Sequence, residues 1–437
     1  MKTGSQKFPT DPHGWAELLP AREAAPSLHG RHGAAWAVVG GGMTGLACAR
    51  RLAALHPDQD ILLLEARLVG QGASGRNSGF AVAVSHFNGG FAAGQMPEYR
   101  RVNRINRAGL DLLRAQVAEF AISCQWHEGG FHHTAADKMA IRELTHFRQY
   151  LEAMEIAHTP LDRTALQGRL GTAYYQHGVH VHQGALLQPA ALVRGLADTL
   201  PANVKLYEQS PVLGMEGGNR LILRLAKGTV ECDKVILATN YEAGKLGLLR
   251  RRLTASTLSG SFTRVLTEEE LAGLGEQRQW GVLSLHGGGA TVRLAADGRL
   301  CLRNMAEYHG GELLSQGKLL QRQTVHRAAF EARFPDLKDV PFEYAWSGVE
   351  GISRNGTNFF GPLGNNIYFA GGYNGSGVSR GTAFGTALAE YASGGHTALI
   401  DDCLASAPAA WIPPRPFLDL AAAFSVRSRF KGVGRDQ

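Results

Sequence analysis

A short apolar run, Trp36-Ala37-Val38-Val39, passes directly into Gly40-Gly41-Gly42-Met43-Thr44-Gly45. Beyond it, Leu46, Ala49, Leu52 and Ala53 recur at helical spacing while Arg50 and Arg51 face away. No other feature restricts the fold as much. His56-Pro57-Asp58 breaks the helix, and Ile61-Leu62-Leu63-Leu64 supplies a second buried strand that ends at Glu65. Strand, glycine loop, helix and strand make a βαβ unit of a parallel sheet.

The spacing Gly40, Gly42, Gly45 is G-x-G-x-x-G. Its glycines permit a tight turn, close approach of a pyrophosphate and close helix–strand packing. The helix N-terminus offers unpaired N–H groups and partial positive charge to phosphate. Glu65, twenty residues past Gly45, can accept hydrogen bonds from a ribose diol. Alone, the motif does not distinguish FAD from a nicotinamide dinucleotide. A long flavin dinucleotide needs later chain to hold its ring, and two further segments suit that task. Gly70-Gln71-Gly72-Ala73-Ser74-Gly75-Arg76-Asn77-Ser78-Gly79 can lay N–H groups and hydroxyls along a pyrophosphate and ribityl chain. Near the end of the chain, Ile367-Tyr368-Phe369-Ala370 reads as a strand entering Gly371-Gly372-Tyr373-Asn374-Gly375-Ser376-Gly377, after which a helix begins. A third piece, Lys234 to Asn240, is a strand ending in small and polar residues.

The chain has 437 residues, which predicts two domains or one domain with an inserted lobe. Its 44% hydrophobic and 19% charged residues exclude wholesale disorder. A net charge of +7, without a dense basic run, gives no support to nucleic-acid binding. No apolar run reaches the length of a membrane span, and residues 1–33 carry no export signal. Five scattered cysteines without a CxxC pair suggest reduced thiols and a cytoplasmic location. Residues 1–33 read as an extended lead-in, with order beginning at Ala34. Helices are expected over Glu98–Phe120, Ile141–Met154 and Pro189–Leu200, and antiparallel sheet between Thr254 and Tyr308.

The segments VVGGGMTGLACARRLA, LLLEARLVGQGASGRNSGF, KVILATN and IYFAGGYNGSGVSRGTAFGTALAE together resemble the D-amino-acid oxidase superfamily. The branch is that of glycine oxidase, sarcosine oxidase and the γ-glutamylputrescine oxidase-like enzymes, and the resemblance runs from about Trp15 to Ser393. It implies an α/β fold: a Rossmann-like FAD domain interleaved with a substrate domain built on a mixed antiparallel sheet. The expected division is 34–95, 170–253 and 345–400 for FAD, 96–169 and 254–344 for substrate, and a tail over 401–437. The expected FAD contacts are Gly40, Gly42, Met43, Thr44 and Gly45; Glu65, Ala66 and Arg67; and Gly72, Ala73, Ser74, Arg76, Asn77 and Ser78. Further along come Val212; Ala238, Thr239 and Asn240; Gly348; and Gly372, Asn374, Gly375, Gly377 and Val378. Relatives with covalent flavin use a late cysteine or a histidine in the loop after the second strand. Neither stands in Trp346-Ser347-Gly348 or in the GASGRNSG loop, so noncovalent FAD is expected.

The family chemistry is hydride transfer from the α-carbon of a neutral amine to flavin N5, followed by imine hydrolysis. The substrate sits over the flavin ring, with oxygen or another acceptor reoxidising it. In Trp346-Ser347-Gly348-Val349-Glu350, Glu350 stands where glycine oxidase-like members carry a carboxylate-binding arginine. A carboxylate there suits an ammonium, which favours an amine, a polyamine or a γ-glutamyl polyamine. The bland alternative pairs Glu350 with Arg354 or Arg293. An amino-acid or N-methylamino-acid oxidase holding its substrate through Arg293, Arg303 or Arg354 is the second reading. A nicotinamide dehydrogenase and a noncatalytic flavin-binding subunit are readings of other classes. Tyr373, Arg293 and His286 complete the candidate catalytic set with Glu350. Arg76 faces flavin or a substrate anion, or contacts phosphate or Glu65. No metal is expected: His177, His180 and His182 cluster without a carboxylate or cysteine, and His132-His133 is a loop pair. Arg101 and Arg104 read as a solvated helix face.

Overall fold

The computed structural model describes residues 12–84, 91–218, 220–249, 251–286, 288–422, 424 and 433–436. The first eleven residues of the expected lead-in, and residues 425–432 of the tail, lie outside the described residues.

Two eight-stranded sheets organise the chain. In the first, strand Gly30–Val39 pairs in parallel with Ile61–Leu64 on one side and Gly228–Leu237 on the other. Alternate residues of these strands face two separate cores. Trp36, Val38, Ile61, Leu63 and Ile236 pack with helices Met43–Leu55 and Gly377–Ala392. Ala37, Val39, Leu62, Leu64, Val235 and Leu237 pack toward the antiparallel strands Val212–Glu216 and Leu221–Leu225. Burial on both faces is why the strands read as unbroken apolar runs.

Strand Gly228–Leu237 does two jobs. Thr229–Cys232 pairs antiparallel with Leu221–Arg224, while Val235–Leu237 pairs in parallel with Ile367–Phe369. The late strand Ile367–Gly371 therefore ends beside the first glycine loop, although more than three hundred residues of chain separate them.

The second sheet runs in the order Phe342–Ser353, Leu253–Thr263, Leu300–Glu307, Thr291–Leu294, Trp280–Val282, Phe131–Ala135, His177–Val181 and His158–Asp162. It is antiparallel except at Val282 and His132. Strands His177–Val181 and Phe342–Ser353 belong here, although the sequence division set 170–253 and 345–400 in the FAD domain. His177–Val181 is claimed by hydrogen bonding to both Phe131–Ala135 and His158–Asp162.

The described part of the lead-in is not a loose extension. Trp15 is fully buried, edge-on to Phe262 at 4.6 Å and to Trp346 at 6.4 Å. Strand pairing also begins earlier than Ala34, at Gly30 opposite Gly228. Proline and glycine content hid this docking, because it depends on aromatic rings from distant strands.

Buried histidines make stability depend on pH, His13 and His326 among them. His13 Nε2 donates a hydrogen bond to the Gly70 carbonyl and the ring lies near Arg76; His326 sits between Ser259 and Ser261. Burial, and secondarily a neighbouring arginine, pushes each from 6.5 down to about 3. Folded rings therefore stay neutral where unfolded rings take a proton, so the stabilisation is complete above 6.5 and is lost as pH falls toward 3. Urea unfolding should show a loss of about 4 kcal/mol for the two rings between about pH 7 and about pH 5. Equal stability at the two values would contradict the burial of these rings.

Candidate active site

The site begins where the first strand ends. Gly40 has φ +109, and a Cβ there would stand 2.7 Å from the Ala238 carbonyl oxygen. A side chain on Gly45 would overlap the Gly40 carbonyl, which is what holds the helix against the strand. Ser74 Oγ accepts the N–H of Met43 at 3.0 Å, so the 70–79 loop lies across the start of the helix. Glu65 accepts the N–H of Gly41 at 2.7 Å on one oxygen and that of Arg67 at 2.9 Å on the other. Burial raises its pKa, against the pull of those two N–H groups. Each oxygen keeps a further lone pair for a hydroxyl donor. Arg67, itself buried, pairs with Glu242 at 2.7 Å.

The late loop is fastened to this cradle. The Tyr373 and Thr44 hydroxyls are 2.7 Å apart, linking the two ends of the chain. Asn240, at φ +48, accepts the Gly372 N–H at 2.9 Å. Asn374 donates to the carbonyls of Gly372, Gly356 and Thr357 and accepts from Ser353 N–H at 3.0 Å. Arg76 donates to the Ser347 and Gln71 carbonyls, and Trp346 Nε1 donates back to the Arg76 carbonyl at 3.1 Å. Arg76 is thereby a buried brace between the 70–79 loop and strand Phe342–Ser353, with part of its side chain on the cavity wall.

One cavity of about 1150 Å³ runs through these parts. It is larger than most small-molecule pockets, which span about 300–1,000 Å³. Its wall includes Gly40–Thr44, Glu65–Arg67, most of the 72–78 loop, Val212, Ala238–Asn240, Gly348 and Tyr373–Val378. Of the expected dinucleotide contacts, Gly45 and Gly372 stand just behind the wall and act through packing and the Asn240 bond. The Thr239 hydroxyl is buried at this wall without a partner among the described residues. A dinucleotide fits these features: backbone kept bare by glycines, a carboxylate for a ribose and an unsatisfied hydroxyl along the way.

The candidate catalytic residues separate. Glu350 lines the cavity, its Oε2 3.4 Å from where a Cβ on Gly375 would stand. Tyr373 and His286 also line it; His286 sits in a turn where its Nδ1 accepts the Gly288 N–H at 3.1 Å. Arg293 does not reach the cavity. It is fully buried, donates to the carbonyls of Ser78, Gly79 and Leu187, and stacks on Trp15. Its role in substrate binding is thus corrected to that of a clamp on the 78–79 turn. Arg354 is exposed and bonds the Trp411 carbonyl. Arg303 and Arg354 both line the cavity; of the two, Arg303 is the enclosed one.

Two arginines escaped the sequence reading. Arg380, on the first turns of the last long helix, is buried and bonds Asn106 Oδ1 at 3.0 Å and Asn358 Oδ1 at 3.1 Å. Burial lowers its pKa to about 10. A lone arginine inside the apolar run GVSRGTAFG was the available signal. Arg101 is not solvated: it pairs with Glu98, bonds the Asp402 carbonyl and touches the cavity. His132, His180 and His182 stack ring to ring, at 4.5 and 5.3 Å. Among the described residues no group of three His, Cys, Asp or Glu side chains is placed to hold a metal ion.

A parallel βαβ cradle joined through one cavity to a late glycine loop, under a second mixed sheet, defines a dinucleotide-dependent oxidoreductase. Residues 35–391 match the family described as FAD dependent oxidoreductase (DAO), and the chain belongs to that family. FAD is therefore its cofactor. The chain is 27% identical over 370 residues to Gamma-glutamylputrescine oxidoreductase of Escherichia coli strain K12, covering 82% of this chain and 83% of that one. It is 28% identical over 382 residues to Probable oxidoreductase OrdL of Haemophilus influenzae, covering 81% of each. Among solved structures, glycine oxidase from Geobacillus kaustophilus superposes with a TM-score of 0.71 at 19% identity, over 84% of this chain and 96% of that one. L-proline dehydrogenase from P. horikoshii gives 0.69 at 17% identity, over 86% and 96%. These likenesses establish the fold.

Proposed function

We propose that this protein oxidises the C–N bond of an amine, with FAD held noncovalently in the cavity. The observation that carries the reading is the Glu350 carboxylate beside Gly375, at the end of the cavity formed by the late glycine loop. Bound FAD supplies the acceptor for a hydride leaving the carbon next to nitrogen; the imine is then hydrolysed. Glu350 draws a protonated amine into the cavity, orients it and accepts the ammonium proton that must leave before the hydride does. The Tyr373–Thr44 bond fixes the floor against which the substrate is held. Noncovalent attachment is supported by the absence of cysteine from the cavity wall among the described residues. The E. coli relative, whose name specifies γ-glutamylputrescine, supports a polyamine or γ-glutamyl polyamine as the class. Five cysteines, all buried and none in a disulfide, support a reducing cytoplasmic setting. Among the described residues no helix is long and apolar enough to cross a membrane.

The test is anaerobic bleaching of the yellow holoenzyme by putrescine, γ-glutamylputrescine, glycine, sarcosine and proline, with oxygen and an artificial acceptor then compared. Bleaching by the amines is expected. In Glu350→Gln, KM for the active amine should rise about ten- to a hundredfold. Bleaching by glycine or sarcosine alone would move the enzyme to the amino-acid class, and silence across the panel would favour a flavin-binding subunit.

A further inference from the structure

Among the charged groups on the cavity wall, Arg303 is one that an amine alone does not use. Arg303 lies on strand Leu300–Glu307, paired opposite Gly260, which in turn faces Trp346 on strand Phe342–Ser353. Glu350 pairs with Ser256 on that same central strand. Trp346, Gly348 and Glu350 alternate onto one sheet face, and the register puts Arg303 on that face too. Arg303 and Glu350 are thus four residues apart along the strand and two strands apart across it, roughly 13 Å by 10 Å between backbones.

The guanidinium of Arg303 is enclosed by protein, and the surface it keeps opens into the cavity. Among the described residues its only hydrogen-bond partner is Thr291 Oγ1, reached by Nη2 at 2.7 Å. Nε and Nη1 carry further donors without an acceptor among the described residues. Arg293, two residues beyond Thr291, differs in place: its Nη1 serves three carbonyls, and its Nε and Nη2, though unpartnered among the described residues, are sealed away from the cavity. Burial lowers the pKa of Arg303, and the field of Glu350 opposes that loss. A fork of open donors in a closed space matches a carboxylate, which takes two parallel N–H bonds from one guanidinium.

We propose that Arg303 is the anion anchor of the substrate cavity, so that the amine oxidised here carries a carboxylate at the end remote from Glu350. The proposal rests on the amine reading and narrows it to elongated amphoteric amines. Arg303 is then a specificity residue, and its effect appears in binding of the anionic end.

Calorimetric titration of the holoenzyme with glutarate tests it. Glutarate has two carboxylates and no C–N bond, so its binding reads the anion subsite whether or not amines are the substrates. Wild type should bind glutarate, Arg303→Met should bind it about a hundredfold more weakly, and Arg303→Lys should recover about tenfold. In parallel, δ-aminovalerate should bind more tightly than pentylamine in wild type, with the preference gone in Arg303→Met. Flavin content of each variant, read from its visible absorbance, verifies that the fold survives. Glutarate that fails to bind wild type, or binds Arg303→Met equally well, overturns the proposal. Failure of the amine reading is a separate result: no amine bleaches the flavin although glutarate still binds.

Discussion

Gly45→Ala should yield a chain that purifies largely without flavin. Gly45 sits in the first turn of helix Met43–Leu55, where its Cα faces the carbonyl of Gly40. An added Cβ would collide with that oxygen and its carbon, and would also meet Ala238 Cβ at 3.4 Å. All three belong to the ends of paired strands, so no flexible side chain can yield. The helix must move away from the sheet, taking Gly42, Met43 and Thr44 off the cavity wall. Overpacking of this kind costs about 1–3 kcal/mol, equivalent to about ten- to a hundredfold in FAD affinity if it falls wholly on the bound state. The check is visible absorbance per mole of protein, followed by titration with added FAD. Gly168→Ala is the control. Gly168 lies within helix Arg163–Leu170 with open space around it, so the change should keep flavin and add about 0.4–1 kcal/mol of stability. A Gly45→Ala protein with full flavin content would show that the helix and strand are not held at the spacing described.

Legibility followed the range of the interactions involved. The cradle could be read from Gly40, Gly42, Gly45 and Glu65 because each answers a local backbone need within one βαβ unit. The late loop could be read from Gly372 to Gly377 for the same reason. Arg293 and Arg303 could not be told apart in sequence, since both lie on strands of one sheet and both are enclosed. What separates them is which chain crosses above: the turn at Ser78 and Gly79 covers Arg293, and the cavity lies before Arg303. Arg380 and Arg101 were missed on the same ground, because their partners Asn106, Asn358 and the Asp402 carbonyl come from remote segments. The docking of residues 12–29 was hidden because its anchor, Glu208, lies nearly two hundred residues away.

That anchor supports the second large effect: Glu208→Ala should destabilise the protein by about 3–5 kcal/mol. Glu208 is fully buried and follows strand Val204–Tyr207. Its carboxylate accepts Arg22 Nη1 at 2.9 and 2.7 Å, the Ala25 N–H at 2.6 Å and the Val69 N–H at 2.5 Å. Removing it leaves the Ala25 and Val69 N–H groups without their acceptor and leaves Arg22, a guanidinium with little exposure, to Asp198 alone. The loss should reach the flavin site. The lead-in places Trp15 against Trp346, and Trp346 bonds the carbonyl of Arg76 in the 70–79 loop. Val69, released at the same time, immediately precedes that loop. Glu208→Ala should therefore lower the urea midpoint, expose the segment around residues 12–29 to protease and release FAD at a lower temperature than wild type. Arg22→Met removes one partner and leaves the two N–H bonds, so its cost should be smaller, about 1–2 kcal/mol. A Glu208→Ala protein as stable as Arg22→Met, with its lead-in still protected, would mean that the aromatic contacts of Trp15 hold the segment by themselves.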